Sequence, residues 1–272
     1  MPQRYTDIQW VVQRNLTHAK DLENLELACK QKGIPFLMID VIPFTAELPY
    51  FDTSRRSIFY GSTTFCALVD ARPELRTGLF FDNTRFSIAN YIGQWGKYML
   101  NADAEITSFR ELMSRNEAAD KLFFIRPDDD NKAFAGETKS FGELSKWYDQ
   151  LSMWDNTSLS PDSRIVVSTP YDIRYEWRLW IVVGKVVAAS KYRTYFKLTK
   201  EAGCPPEVIA YAESRCREYM PHDVFVMDIC LCGEEFYIVE CGCMNAAGFY
   251  HAAIADIVEA VSGYFVGRND RT

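Results

Sequence analysis

The stretch spanning residues 224–250, VFVMDICLCGEEFYIVECGCMNAAGFY, limits the fold more than any other part of the chain. Residues 224–230 and 235–242 alternate as strands do, with a Cys-Gly-Glu turn between them, which predicts a hairpin centred near Glu234. In that register Asp228 lies directly opposite Glu240, on a face shared with Val226, Phe236 and Ile238. Directly opposed residues have Cβ atoms about 4.5–5.5 Å apart, where two like charges repel unless a cation lies between them. Magnesium suits such a pair, because it takes hard oxygen ligands from one or two carboxylates and completes its shell with water and substrate phosphates. Asn245 is positioned in sequence to add an amide oxygen. The alternative is an accidental pair on a solvated sheet face; the apolar neighbours speak for burial, and a slip of one residue would separate the acids.

Composition narrows the class. The chain has 272 residues, 48% hydrophobic and 14% aromatic, enough to bury the core of one large or two medium domains. Neither a membrane-length apolar run nor a signal-like N-terminus is visible, so a cytoplasmic location is expected. A net charge of −7 argues against nucleic acid as the main partner. Eight cysteines are too sparse for a disulfide scaffold and read as thiols. Cys230 and Cys232 share the Asp228 face while Cys241 and Cys243 point the other way, so a four-thiolate zinc site, as in a zinc-stabilised interaction protein, is the weaker alternative.

In chain order, residues 7–13, 17–32 and 35–42 read as strand, helix and strand, a βαβ pattern, with Gly33 ending the helix. RSIFYGSTTFCALV reads as a further strand, a turn and a helix start. The amides around Gly61, Ser62 and Thr63 form either an anion site or a plain strand-to-helix turn. Ser108 and Glu111 form a capping box, near which the domain boundary is expected. Residues 122–126 read as a strand entering a polar loop, 127–140, that carries Lys132 and Lys139. A second capping box, Ser140 with Glu143, opens a helix whose inner side carries Leu144, Trp147, Tyr148 and Leu151.

RIVVSTP reads as a buried strand and EWRLWIVVGKVVAASKYR as a hairpin turning at Gly184-Lys185. Counting outward from that turn pairs Trp180 with Ala189, Arg178 with Lys191 and Glu176 with Arg193. Two cations opposed at Arg178 and Lys191 ask for an anion, and Glu176 is the internal alternative. Residues 206–219 and 252–266 read as helices.

Taken in order, FIRPDDDNKAFAG, EWRLWIVVGKVVAASKY and IVECGCMNAAGFY resemble the ATP-grasp clade named for a conserved arginine and two lysines. The likeness covers residues 121–250, and the N-terminal unit looks like the small domain that precedes ATP-grasp modules. The resemblance implies an α/β (α+β) fold with an N-terminal α/β domain over 1–115. An ATP-grasp domain would follow over 116–272, divided into a phosphate-loop part (116–163) and a metal and substrate part (164–272). It implies ATP and magnesium as cofactors. Arg126 and Lys132 would sit on the nucleotide phosphates, with Ser168 and Thr169 on the strand whose edge meets the adenine, and Glu176 and Arg178 in the nucleotide set. Arg178 and Lys191 would lie by the γ-phosphate and acyl-phosphate, and Asp228, Glu240 and Asn245 would hold the metal. Position 242 is glycine, although many ATP-grasp enzymes place an asparagine two residues after the glutamate; the nearest amide here is Asn245.

The implied reaction joins a carboxylate to an amine, or to a thiol, through an acyl-phosphate. The expected partners are small-molecule acids and amines, with amino acids and peptides among the candidates, and neither nucleic acid nor membrane. The sequence leaves oligomeric state open. A nucleotide-binding module that has lost catalysis is the alternative.

Overall fold

Strand β1 (Ile8–Gln13) is buried along its whole length, and this organises the first layer. A strand covered on both faces carries a near-continuous apolar run rather than an alternating one. After β1 come helix α1 (Ala19–Lys32), β2 (Phe36–Ile39), β3 (Arg56–Tyr60) and helix α2 (Thr63–Asp70). The strands form a parallel sheet in the order β2-β1-β3, as the βαβ pattern predicts. Helix α1 ends at Gly33, whose φ of 68° lets its N–H turn back to the carbonyls of Cys29 and Lys30. The computed structural model describes residues 5–42, 47–128, 134–153, 159–195 and 197–268. Lys132 therefore lies outside the described residues.

The turn before α2 is not an anion site. The Gly61 N–H donates to the Asn245 carbonyl at 2.8 Å, and the Ser62 N–H donates to the Gln13 side-chain oxygen at 2.8 Å. Two of the three candidate donors are thus satisfied within the protein.

Helix α3 (Ile88–Trp95) arises from the aromatic stretch after Gly78. The second sheet is built from β4 (Glu105–Ser108), β5 (Leu122–Pro127), β6 (Glu137–Ser140) and β7 (Arg164–Ser168), with helices α4 (Phe109–Met113) and α5 (Phe141–Met153) opening at the two capping boxes. Its order is β4-β7-β5-β6. Three expectations are corrected by this. Part of the supposed loop over 127–140 is β6. Strand β7 lies between β4 and β5, so it offers no free edge over most of its length; Thr169, just past its end, is exposed and Ser168 is buried. Finally, β4 pairs with β7, although sequence grouped residues 105–108 with the N-terminal unit.

The third sheet is antiparallel. It contains β8 (Ile173–Val182), β9 (Lys185–Thr194) and β10 (Lys197–Ala202), then, after helix α6 (Pro206–Cys216), β11 (Val224–Cys232) and β12 (Glu235–Gly242), in the order β10-β9-β8-β11-β12. Strand β10, KLTKEA, is mostly exposed and has no apolar alternation, so nothing in its sequence marked it. One face of the sheet packs Trp177, Leu179 and Phe225 with α3 and α6. The other packs Trp180, Val226 and Phe249 with Trp10 of β1 and the closing helix α7 (Ile254–Gly267). The Trp10 indole N–H donates to Ser262 Oγ at 3.0 Å, so both ends of the chain share one core. Among the described residues no helix is long and apolar enough to cross a membrane.

Candidate active site

Strand bulges decide which side chains meet. The β11–β12 turn is Gly233-Glu234, because Cys232 pairs with Glu235. Counting back from there, an unbroken ladder would not oppose Asp228 and Glu240. The register shifts between Asp228 and Ile229, leaving Val239 as the extra residue, and this restores Asp228 opposite Glu240. The expected opposition is therefore present. Of the expected neighbours Val226 keeps that face, but Phe236 pairs with Leu231 and Ile238 with Ile229, on the other face.

In the β8–β9 hairpin the turn is Val183-Gly184, with φ of 49° and 71°, rather than Gly184-Lys185. Two register shifts follow along the ladder. Glu176 still opposes Arg193, as counted from sequence, but Arg178 opposes Ser190 and Lys191 opposes Trp177. The predicted meeting of Arg178 and Lys191 is thereby corrected. Lys191 forms an ion pair with Glu201 at 2.9 Å, beside a cavity of about 410 Å³ that Tyr175, Trp177 and Cys204 also line.

Each acid of the opposed pair meets its own arginine. Arg178 donates from Nε to Asp228 Oδ1 at 2.9 Å and from Nη2 to Oδ2 at 2.8 Å, a bidentate pair within the third sheet. Burial alone would lower the Arg178 pKa, but the Asp228 charge and hydrogen bonds more than offset it, and the pKa is raised well above its ordinary value. Glu240 pairs with Arg126, which reaches across from β5 in the second sheet. The like-charge repulsion noted in the sequence is thus relieved by two guanidinium groups, one of which, Arg126, ties the second sheet to the third.

Two phenols complete the cluster. The Tyr192 hydroxyl donates to Glu176 Oε2 at 2.7 Å and lies 3.3 Å from Asp228 Oδ2. Burial first, and then the Asp228 and Glu176 charges, raise the Tyr192 pKa, so it stays a neutral donor. Burial likewise raises the Glu176 pKa, against the hydrogen bond from Tyr192 and the charge of Arg193. Tyr250 stacks on Tyr192 with ring centroids 5.0 Å apart and lies 5.2 Å from the Arg178 guanidinium carbon. Sequence reading missed both tyrosines. Tyr192 sits at a bulge that strand alternation does not reveal, and Tyr250 lies in a loop.

Asn245 is engaged elsewhere. Its amide NH₂ donates to the carbonyls of Phe59 at 2.6 Å and Gly78 at 2.9 Å, and its oxygen accepts from the Phe80 N–H at 2.8 Å. It is fully buried and clasps β3 to the end of the third sheet. Ser168 Oγ is bonded to Asn101 Oδ1 at 3.3 Å.

Two opposed carboxylates on adjacent strands, each paired with an arginine, suit a magnesium ion that takes the rest of its shell from water and phosphate. They do not suit a fully protein-coordinated metal. Among the described residues no three His, Cys, Asp or Glu side chains converge as a metal-binding group. Cys230 is buried, which pushes its thiol pKa up, and Cys241 belongs to the core on the opposite face. A four-thiolate zinc site is absent among the described residues.

No curated protein matches the sequence. Solved structures similar in fold include the RimK domain protein ATP-grasp from Sphaerobacter thermophilus (TM-score 0.55, 8% identity, covering 96% of this chain and 98% of that one). The macrocyclase MdnC from Microcystis aeruginosa, bound with its precursor peptide MdnA, gives a TM-score of 0.53 at 10% identity over 93% and 99% of the two chains. D-alanine–D-alanine ligase from Bacillus anthracis gives 0.53 at 10% identity over 96% and 99%. Residues 62–261 match a family described as an ATP-grasp domain, family 3 of the clade named for one arginine and two lysines. With that match spanning most of its length and the same fold around it, the chain belongs to the ATP-grasp superfamily, in this clade.

Proposed function

We propose that the protein is an ATP-dependent ligase that joins a carboxylate to an amine through an acyl-phosphate. The observation that carries this reading is the convergence of two opposed carboxylates and two arginines from two sheets. A carboxylate is a poor electrophile. Its oxygen attacks the γ-phosphorus, ADP leaves, and the nitrogen then attacks the carbonyl carbon as phosphate departs. Such chemistry needs positioned charge rather than a nucleophilic side chain.

In this scheme Arg126 and Lys132 bind the nucleotide phosphates, and of the two adenine candidates only Thr169, exposed just past the end of β7, is placed beside the base. Arg178 neutralises the charge that moves between nucleotide and acyl-phosphate, and Tyr192 and Glu176 hold its surroundings. Asp228 and Glu240 would hold magnesium, which supplies charge neutralisation on the phosphates. Likeness to a D-alanine ligase and to a macrocyclase supports the ligase class and amino acids or peptides as substrates.

The test supplies ATP, magnesium and pools of carboxylates, with hydroxylamine to trap acyl-phosphate, and measures hydroxamate and ADP. Formation from one pool is expected. Arg126→Met should raise the nucleotide Kd, whereas Lys185→Gln, at an exposed site paired with Glu213, should do little. Tight nucleotide binding without hydroxamate from any pool would leave the binding-module alternative.

A further inference from the structure

Alternation along β3 divides the N-terminal unit into two cores. Ile58 and Tyr60 pack with Trp180, Val226 and α7, the side on which the third sheet carries Asp228, whereas Phe59 packs with Val11, Phe51 and Phe65 on the opposite face. On that opposite face lies a cavity of about 660 Å³, lined by Phe51 and Phe59 together with residues of the segment before β3 and of the 3-10 turn Pro73–Gly78. It is therefore separate from the arginine–carboxylate pairs.

The cavity is cationic in an acidic chain. Three arginines, Arg55, Arg56 and Arg72, line it against one carboxylate, Glu74, although the chain as a whole carries a net charge of −7. Arg56 is occupied, donating to Asp7 Oδ2 at 2.9 Å and to the Phe265 carbonyl at 3.0 Å. The other two have donors to spare. Arg72 stands 3.9 Å from Glu74, beyond hydrogen-bond distance, and its guanidinium donates no hydrogen bond among the described residues. Arg55 donates only from Nε, to the Thr6 carbonyl at 3.1 Å, and its Nη1 stops 3.8 Å from Asp52. Guanidinium groups present their N–H donors as a fork that matches a carboxylate or a phosphate. Tyr50, 94% exposed, adds a ring face on which a planar group can stack, and the half-buried Leu48 and Leu75 add apolar wall.

We propose that this cavity binds a small aromatic anion, a planar ring bearing a carboxylate or a phosphate, with its charge on Arg72 and Arg55 and its ring against Tyr50. The volume falls within the range of about 300–1,000 Å³ typical of small-molecule sites, so an inorganic ion would leave most of it unfilled. Occupancy is linked to the reaction centre through Asn245. That amide holds the carbonyl of Phe59, in one wall, and the carbonyl of Gly78, next to Thr77 in the other. The two walls meet closely, since a Cβ at Gly78 would come within 1.8 Å of the Ser57 carbonyl. A ligand that draws the walls together or apart thus acts on Asn245, which lies midway in sequence between Glu240 and Tyr250.

Titration calorimetry of the full chain tests the site, with phenyl phosphate and indole-3-acetate as probes. At least one should bind, one per chain. Inorganic phosphate, lacking the ring, and benzyl alcohol, lacking the charge, should each bind at least about tenfold more weakly. Arg72→Met should weaken the probe by a similar factor and Tyr50→Ala by less, while thermal unfolding of both variants stays as in wild type because both side chains are exposed. A non-hydrolysable ATP analogue with magnesium should change the probe's Kd by about fivefold or more, and saturating probe should change the analogue's Kd by the same factor. That change must level off, because direct competition would keep growing with analogue concentration. If neither probe binds, or if Arg72→Met binds as wild type does, the cavity is a solvated groove and the assignment is wrong. Binding without a reciprocal change would overturn the linkage through Asn245.

Discussion

The two arginine–carboxylate pairs share chemistry and differ in setting. Arg178 and Asp228 stand on neighbouring strands of one sheet, with side chains only 10% and 2% exposed. Arg126 and Glu240 join two sheets, at 13% and 25%. A buried pair within a single sheet has no solvent to replace a lost partner, so removing one side leaves an uncompensated charge. A pair between two sheets whose carboxylate is partly exposed can exchange that carboxylate for a phosphate. On the proposed ligase reading, the first pair is chiefly architectural and the second chiefly functional.

The largest effect that would break this comparison lies in the acids. Asp228→Ala should cost about 3–5 kcal/mol, read from urea denaturation, because it strands the Arg178 charge. Glu240→Gln should cost no more than about 1 kcal/mol, yet cut ADP release by about 10²–10³ if the carboxylate serves metal and phosphate. Equal stability losses in the two variants would erase the distinction.

A smaller effect comes from the clasp at Asn245. Asn245→Ala leaves the Phe80 N–H and two carbonyls without this partner, and about 2 kcal/mol or more should be lost. Were Asn245 a metal ligand instead, the variant would lose magnesium affinity with little change in stability.

The smallest effect is on pH dependence. The Glu176 pKa is raised in the fold, so its contribution to stability is fully present below the unfolded value of 4.5 and is lost as pH rises through the raised value. Glu176→Gln should remove that slope from stability measured across this window. An unchanged slope would mean that Tyr192 and Arg193 compensate the buried charge more fully than the raised pKa implies.

The legible parts were those governed by local chemistry. The βαβ pattern, both capping boxes and the terminal helix all depend on residues close in sequence, whereas Asp228 opposes Glu240 only through the bulge at Val239, which no local pattern marks. Strand β10 was missed because an exposed edge strand need not alternate. The aromatic stretch after Gly78 gave no periodic signal to assign, because its side chains pack on several partners at once: Phe80 against α7, and Tyr91 and Trp95 against the third sheet and α6.

By itself, the sequence determined the βαβ unit, the two capped helices and the presence of the two hairpins, because alternation, caps and turns act over a few residues. Tertiary structure alone decided three things: that Arg178 faces Asp228 rather than Lys191, that Glu240 meets Arg126, and that Asn245 clasps the N-terminal sheet. The physical reason is that one extra residue in a strand reverses every side chain beyond it. Where bulges occur depends on what the sheet packs against, as do the long-range partners that satisfy a buried amide or charge.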